Sequence, residues 1–115
     1  MRDARAFLPL KPAELMILTV LSGGDRHGYG IRQDILEQTG GQIEIEAGHL
    51  YRHIRSLADD GLVAEAPAPP GETDERRIYY RLTPMGRRVL AAEMQRLREL
   101  VRLAEARGIL APAGP

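Results

Sequence analysis

Apolar positions recur along most of the chain at helical spacing. Leu15, Leu18 and Leu21 fall three residues apart, with Ile17 and Val20 beside them. Pro12 suits a first helical turn, where the N–H it lacks would go unpaired anyway. This pattern predicts a short buried helix over 12–22, broken by Ser22-Gly23-Gly24-Asp25. A second helix is predicted over 28–39, with Ile31, Ile35 and Leu36 as its apolar stripe and Gly40-Gly41 as its stop. Gln42 to Glu46 alternates strictly and predicts a short strand. A third helix over 47–60 places Leu50, Ile54 and Leu57 inward, leaving His49, Arg52, His53 and Ser56 facing out. Gly61 caps it.

Beyond the cap the period changes from helical to alternating. Leu62 to Ala66 reads as a strand, Pro67 to Glu75 as a loop, and Arg76 to Leu82 as a returning strand. On that return, Ile78, Tyr80 and Leu82 share one face, and Arg77, Tyr79 and Arg81 the other. The pair makes a β-hairpin. Thr83-Pro84 is a helix start, Thr as N-cap and Pro at the first helical position. The helix it opens, over 84–107, carries Leu90, Met94, Leu97, Val101 and Ala104 at spacings of 4, 3, 4 and 3, the seam of a coiled coil. Residues 1–11 show no period and read as a loose N-terminal arm. Residues 108–115, rich in Ala, Gly and Pro, read as a disordered tail.

Composition narrows the function. A chain of 115 residues supports one domain. It has no cysteine, hence no disulfide frame, thiol nucleophile or thiolate metal site. No apolar run approaches the ~20 residues that span a membrane. Acids at Asp3 and Glu14 and prolines at 9 and 12 fit no signal peptide, so a soluble cytoplasmic protein is expected. Sixteen basic and sixteen acidic side chains cancel, but unevenly along the chain. Residues 49–58 and 76–88 together hold seven arginines and no acid, a local charge of +7; the remaining 92 residues carry −7. A neutral chain that gathers positive charge in this way can still attract an anion.

Three short helices followed by a hairpin is the order of a winged helix-turn-helix. The expected fold is therefore mainly α with a small β-hairpin: an arm (1–11), a winged-helix DNA-binding domain (12–83), a C-terminal dimerisation helix (84–107) and a tail (108–115). In such a fold the third helix can enter the DNA major groove, with the hairpin on the adjacent backbone. The two acid-free segments are that helix and the return strand of the wing. His49, Arg52, His53 and Arg55 are the expected contacts from the helix, and Arg76, Arg77 and Arg81 those from the wing. Arginine suits both tasks, because its planar fork grips guanine O6 and N7 or clamps phosphate. Leu90, Met94, Leu97, Val101 and Ala104 are the expected dimer interface.

Four motifs in this order carry a family resemblance: His27-Gly28-Tyr29-Gly30-Ile31, Gly48-His49-Leu50-Tyr51, Asp60-Gly61-Leu62-Val63, and Arg76 through Gly86. With them the chain resembles the PadR family of bacterial transcriptional regulators over residues 12 to about 105. The resemblance implies a homodimer that exchanges its last helix between subunits, and an effector-responsive regulator, usually a repressor. It implies double-stranded DNA and a second copy of the chain as partners, with a small-molecule effector of unspecified identity. Three features depart from the family. His49 stands where Thr is usual, and Arg52 where Pro is common. The wing tip carries Glu72, Asp74 and Glu75, which phosphate should repel. The chain also has no Trp, so effector stacking between indoles is not supported.

Other chemistries find less support. His49 and His53 lie four apart on one helix but lack a third ligand, so no metal site or other cofactor is expected. Gly28-Tyr29-Gly30 lacks the third glycine of a dinucleotide loop. Tyr29 and Tyr51 are expected to pack in the core or between helices rather than contact a ligand, and Arg87 and Arg88 suit either solvent or DNA. Ser56, His53 and Asp59 lie on one short helix and cannot converge on a reacting centre together with an oxyanion site, so no enzyme is expected. Two rival readings are a winged helix kept as a protein-interaction module and a small-molecule sensor without strong DNA binding.

Overall fold

The computed structural model describes residues 3–114. A short 3-10 turn at Ala4–Phe7 precedes helices α1 (Pro12–Leu21), α2 (Gly28–Gln38), α3 (Ala47–Asp59) and α4 (Pro84–Ala106). Strands β1 (Arg26–His27), β2 (Val63–Ala66) and β3 (Tyr79–Leu82) form one antiparallel sheet in the order β1-β3-β2. The register pairs Val63 with Leu82 and Glu65 with Tyr80 on one side of β3, and His27 with Tyr79 on the other. The hairpin is thus a three-stranded sheet. β1, two residues between α1 and α2, is too short to show a period.

The predicted stripes meet in one core. Ile17, Leu18, Val20 and Leu21 of α1 pack with Ile31 and Ile35 of α2 and with Leu50, Ile54 and Leu57 of α3. Leu62, Val63 and Tyr80 close it from the sheet side, and Val89 and Leu90 from α4. Leu90 is buried within the single chain, so α4 belongs to the winged-helix core over its first two turns. Gly86 makes that docking possible: a Cβ there would collide with the Leu62 carbonyl oxygen. Thr83 binds the junction twice, accepting the Gly86 N–H at 2.9 Å and donating to the Gly61 carbonyl at 2.7 Å.

Several expectations are corrected. Gln42–Glu46 forms no strand, because among the described residues no strand of the sheet lies alongside it. It is held instead by Arg32 Nε, which donates to the Ile45 carbonyl at 2.7 Å, and by the Ile43 N–H donating to Thr39 Oγ1. The return strand begins at Tyr79 rather than Arg76, since Arg76 and Arg77 belong to the turn that Asp74 organises. Ile78 lies outside the core at 49% exposure. The arm is not loose from residue 3 onward; residues 1 and 2 lie outside the described region. Phe7, Leu8 and Leu10 pack on the core, and the Leu10 N–H donates to Glu93 Oε2 at 2.8 Å. Glu93 is 1% exposed, on the inner side of α4. Arg96 binds it through Nε and Nη2 at 2.5 and 3.2 Å and holds its carboxyl below the usual carboxylate range. The pairing lets a carboxylate sit inside without an unmatched charge.

Candidate nucleic-acid interface

With its apolar side turned into the core, α3 presents His49, Arg52, Arg55 and Ser56 to solvent. Arg52 and Arg55 are three apart, so their side chains neighbour each other on one face. No side chain among the described residues pairs with either. His53 departs from expectation. It is half-buried and turned back on α1, where Nδ1 lies 2.9 Å from Glu14 Oε2. One turn of helix separates His53 from His49, but the Glu14 contact draws His53 off the outer face. Among the described residues no three His, Asp or Glu side chains come together as a cation site.

The wing is organised by its acids. Glu72 is 9% exposed and accepts four hydrogen bonds: from the Thr73 and Asp74 N–H groups at 2.9 and 3.2 Å, from the Tyr79 hydroxyl at 2.6 Å, and from Arg77 at 3.2 Å. The Tyr79 hydroxyl does most to hold the Glu72 carboxyl down, at about 2, and Tyr79 is itself pushed up by the same bond. Asp74 accepts from the Arg76 N–H at 2.9 Å and from its guanidinium at 3.2 and 3.4 Å, with Arg77 Nε at 3.9 Å. Arg76 and Arg77 thus carry carboxylate partners from their own loop. The sequence pattern of acids beside arginines hinted at this, but only as two opposed patches. Arg81, exposed on β3, has no such partner among the described residues.

The wing base meets the start of α2. His27 caps that helix, Nδ1 accepting the Gly30 N–H at 3.0 Å. Its ring meets Tyr79 edge-on at 5.3 Å and lies nearly parallel to Tyr29 at 6.3 Å. A Cβ on Gly28 would collide with the Tyr51 hydroxyl, so the glycine lets Tyr51 of α3 lie across the start of α2. Tyr51 packs between helices as expected, although 44% exposed. Tyr29 does not: it is 54% exposed, and its hydroxyl accepts from Gln33. These residues and the wing base enclose a cleft of about 470 Å³.

Past Glu93, α4 turns an uncovered apolar face outward. Met94, Leu100, Val101 and Leu103 are exposed, and Leu97 and Ala104 half-buried. Of the five expected interface residues, Leu90 alone is taken up by the core. Among the described residues no helix is long and apolar enough to cross a membrane.

A helix-turn-helix of α2 and α3, flanked by a three-stranded wing and followed by a long helix, defines a winged helix-turn-helix domain. A model of the transcriptional regulator PadR-like family matches residues 17–92, and the chain belongs to that family. A PadR family transcription regulator from Clostridium difficile R20291 superposes with a TM-score of 0.73 at 21% identity, covering 84% of this chain and 97% of that one. A complex structure of H. salinarum RosR gives 0.68 at 28% identity, over 93% and 96%. Bacillus subtilis PadR, solved with operator DNA, gives 0.62 at 24% identity, over 73% of this chain and 47% of that one. No functionally curated protein matches the chain.

Proposed function

We propose that the protein is a dimeric, sequence-specific DNA-binding regulator of transcription, acting as a repressor that an effector releases. The observation that carries DNA binding is the outer face of α3. Arg52 and Arg55 stand there exposed, adjacent and unpaired, on the helix that this fold presents to the major groove. His49 extends the same face by one turn, and Arg81 supplies a free cation from the sheet. Arg76 and Arg77 are the weaker members of the expected set, because each must leave a carboxylate to meet a phosphate. His53 is a weaker member too, because its Nδ1 faces Glu14.

Dimerisation is supported by the second half of α4. On its apolar side Met94 and Val101 are exposed and Leu97 and Ala104 only half-buried among the described residues, and a second copy of the helix would bury them. Two copies of α3 would then read two half-sites related by symmetry. Repressor action and effector response rest on the family resemblance. Selection of binding sites from fragmented genomic DNA with the purified protein tests the reading. Recovery of a palindromic site is expected; recovery of no enriched site would overturn it.

A further inference from the structure

The cleft is bounded by the start of α2, Tyr51 of α3 and the wing. If α3 occupies the major groove and the wing the neighbouring backbone, the strand that divides the grooves passes between them. The cleft is lined on one side by His27 of β1 and Tyr51 of α3, and on the other by Arg76, Arg77 and Asp74 of the wing loop. His27 brings a donor of known identity. Because Nδ1 accepts the Gly30 N–H, the ring proton of the neutral side chain sits on Nε2.

At the wing side a carboxylate already fills the grip. Asp74 takes the Arg76 guanidinium across both its oxygens, Nε to Oδ1 at 3.2 Å and Nη2 to Oδ2 at 3.4 Å, with the Arg76 N–H at 2.9 Å. That fork fits phosphate as well as carboxylate. We propose that the cleft is the seat of one backbone phosphodiester of the bound strand, and that Asp74 stands in for that phosphate in the free protein. The inference rests on the DNA-binding reading above.

Glu72 and Asp74 of the wing tip then have different roles. Glu72 is 9% exposed and satisfied by four donors, so it is fixed and shapes the loop. The Asp74–Arg76 pair is open on the arginine side, the Arg76 side chain being 91% accessible and that of Asp74 32%. Pairs of that kind hold by little, so exchanging one singly charged anion for another costs little. A phosphodiester presents two free oxygens and one negative charge, as a carboxylate does. Exchange leaves the guanidinium neutralised and turns Asp74 out to solvent, where it opposes the incoming strand. The free protein therefore carries its own competitor for DNA.

Asp74→Asn keeps an oxygen for the Arg76 N–H and removes the charge; Asp74→Ser does the same with a shorter side chain. Both are compared with wild type and with Glu75→Gln, an exposed acid that holds no arginine. Affinity is measured across a salt series on a selected site and on an unrelated duplex. Both Asp74 variants should bind both duplexes tighter, by roughly 2- to 10-fold, and steepen the salt slope by about one unit. Glu75→Gln should change affinity by less than 2-fold, or about 0.4 kcal/mol. Unchanged or weaker binding by both folded Asp74 variants would overturn the proposal. So would an equal gain in Glu75→Gln, which would make the effect one of diffuse charge. Wild-type protein that binds no duplex at any salt would instead overturn the DNA-binding reading, and the phosphate seat with it.

Discussion

His53 of α3 reaches back to Glu14 of α1, Nδ1 to Oε2 at 2.9 Å, across 39 residues of sequence. The contact ties the helix that faces outward to the helix beneath it, so α3 is fixed to the domain by a polar bond as well as by Leu50, Ile54 and Leu57. His53→Ala would leave the largely buried Glu14 carboxylate without this partner. A loss of about 1–3 kcal/mol in urea unfolding is expected. DNA affinity of the folded fraction should change by less than it does in Arg52→Ala; the reverse order would return His53 to the DNA face.

Arg52→Ala should cost about 1–3 kcal/mol on the selected site if the guanidinium reads a base. Non-specific duplex should lose less. Titration of both duplexes at one salt concentration checks this. An equal loss on each would make Arg52 a phosphate contact and shift base reading to His49 or Arg55.

The proposed dimer is tested on α4. Leu97→Asp with Val101→Asp brings two carboxylates from each chain into the paired seam, and burying them unpaired is costly. Sedimentation should show a monomer with much weaker DNA binding. Leu90 is unsuitable for this test, because it is buried in the core and its loss would unfold the domain.

The wing should respond to acid in a defined direction. The Glu72 carboxyl lies at about 2 in the folded chain, against 4.5 for an unperturbed Glu, chiefly through the Tyr79 hydroxyl. Depression of a folded-state pKa means that the ionised form is the one folding favours. Its contribution is complete above about 4.5 and is lost as the pH falls from there through about 2. Carboxyl-detected NMR should find a Glu72 midpoint near the lower value in wild type. In Tyr79→Phe, which keeps the ring and removes the hydroxyl, the midpoint should rise toward 4.5. An unshifted midpoint in that variant would assign the effect to Arg77 and the backbone.

What the sequence determined by itself was local. The stripes of α1, α2 and α3, the Thr83-Pro84 start of α4 and the stop at Gly61 each depend on residues within a few positions, and each lies where its pattern put it. Their order was enough for the winged helix, and the exposed Arg52 and Arg55 follow from Leu50, Ile54 and Leu57 facing the other way. Tertiary structure alone decided which polar groups meet. The alternation of Gln42–Glu46 would look the same with or without a partner strand, and among the described residues it has none. Arg26–His27 has no period, yet becomes a strand because Tyr79 and Tyr80 lie alongside. His53 with Glu14, Glu93 with the Leu10 amide, and Glu72 with Tyr79 are set by how elements cross. Hydrophobic spacing records which face of a segment is buried. It does not record which distant charge lies across from that face, and here those charges decide which arginines and histidines remain free.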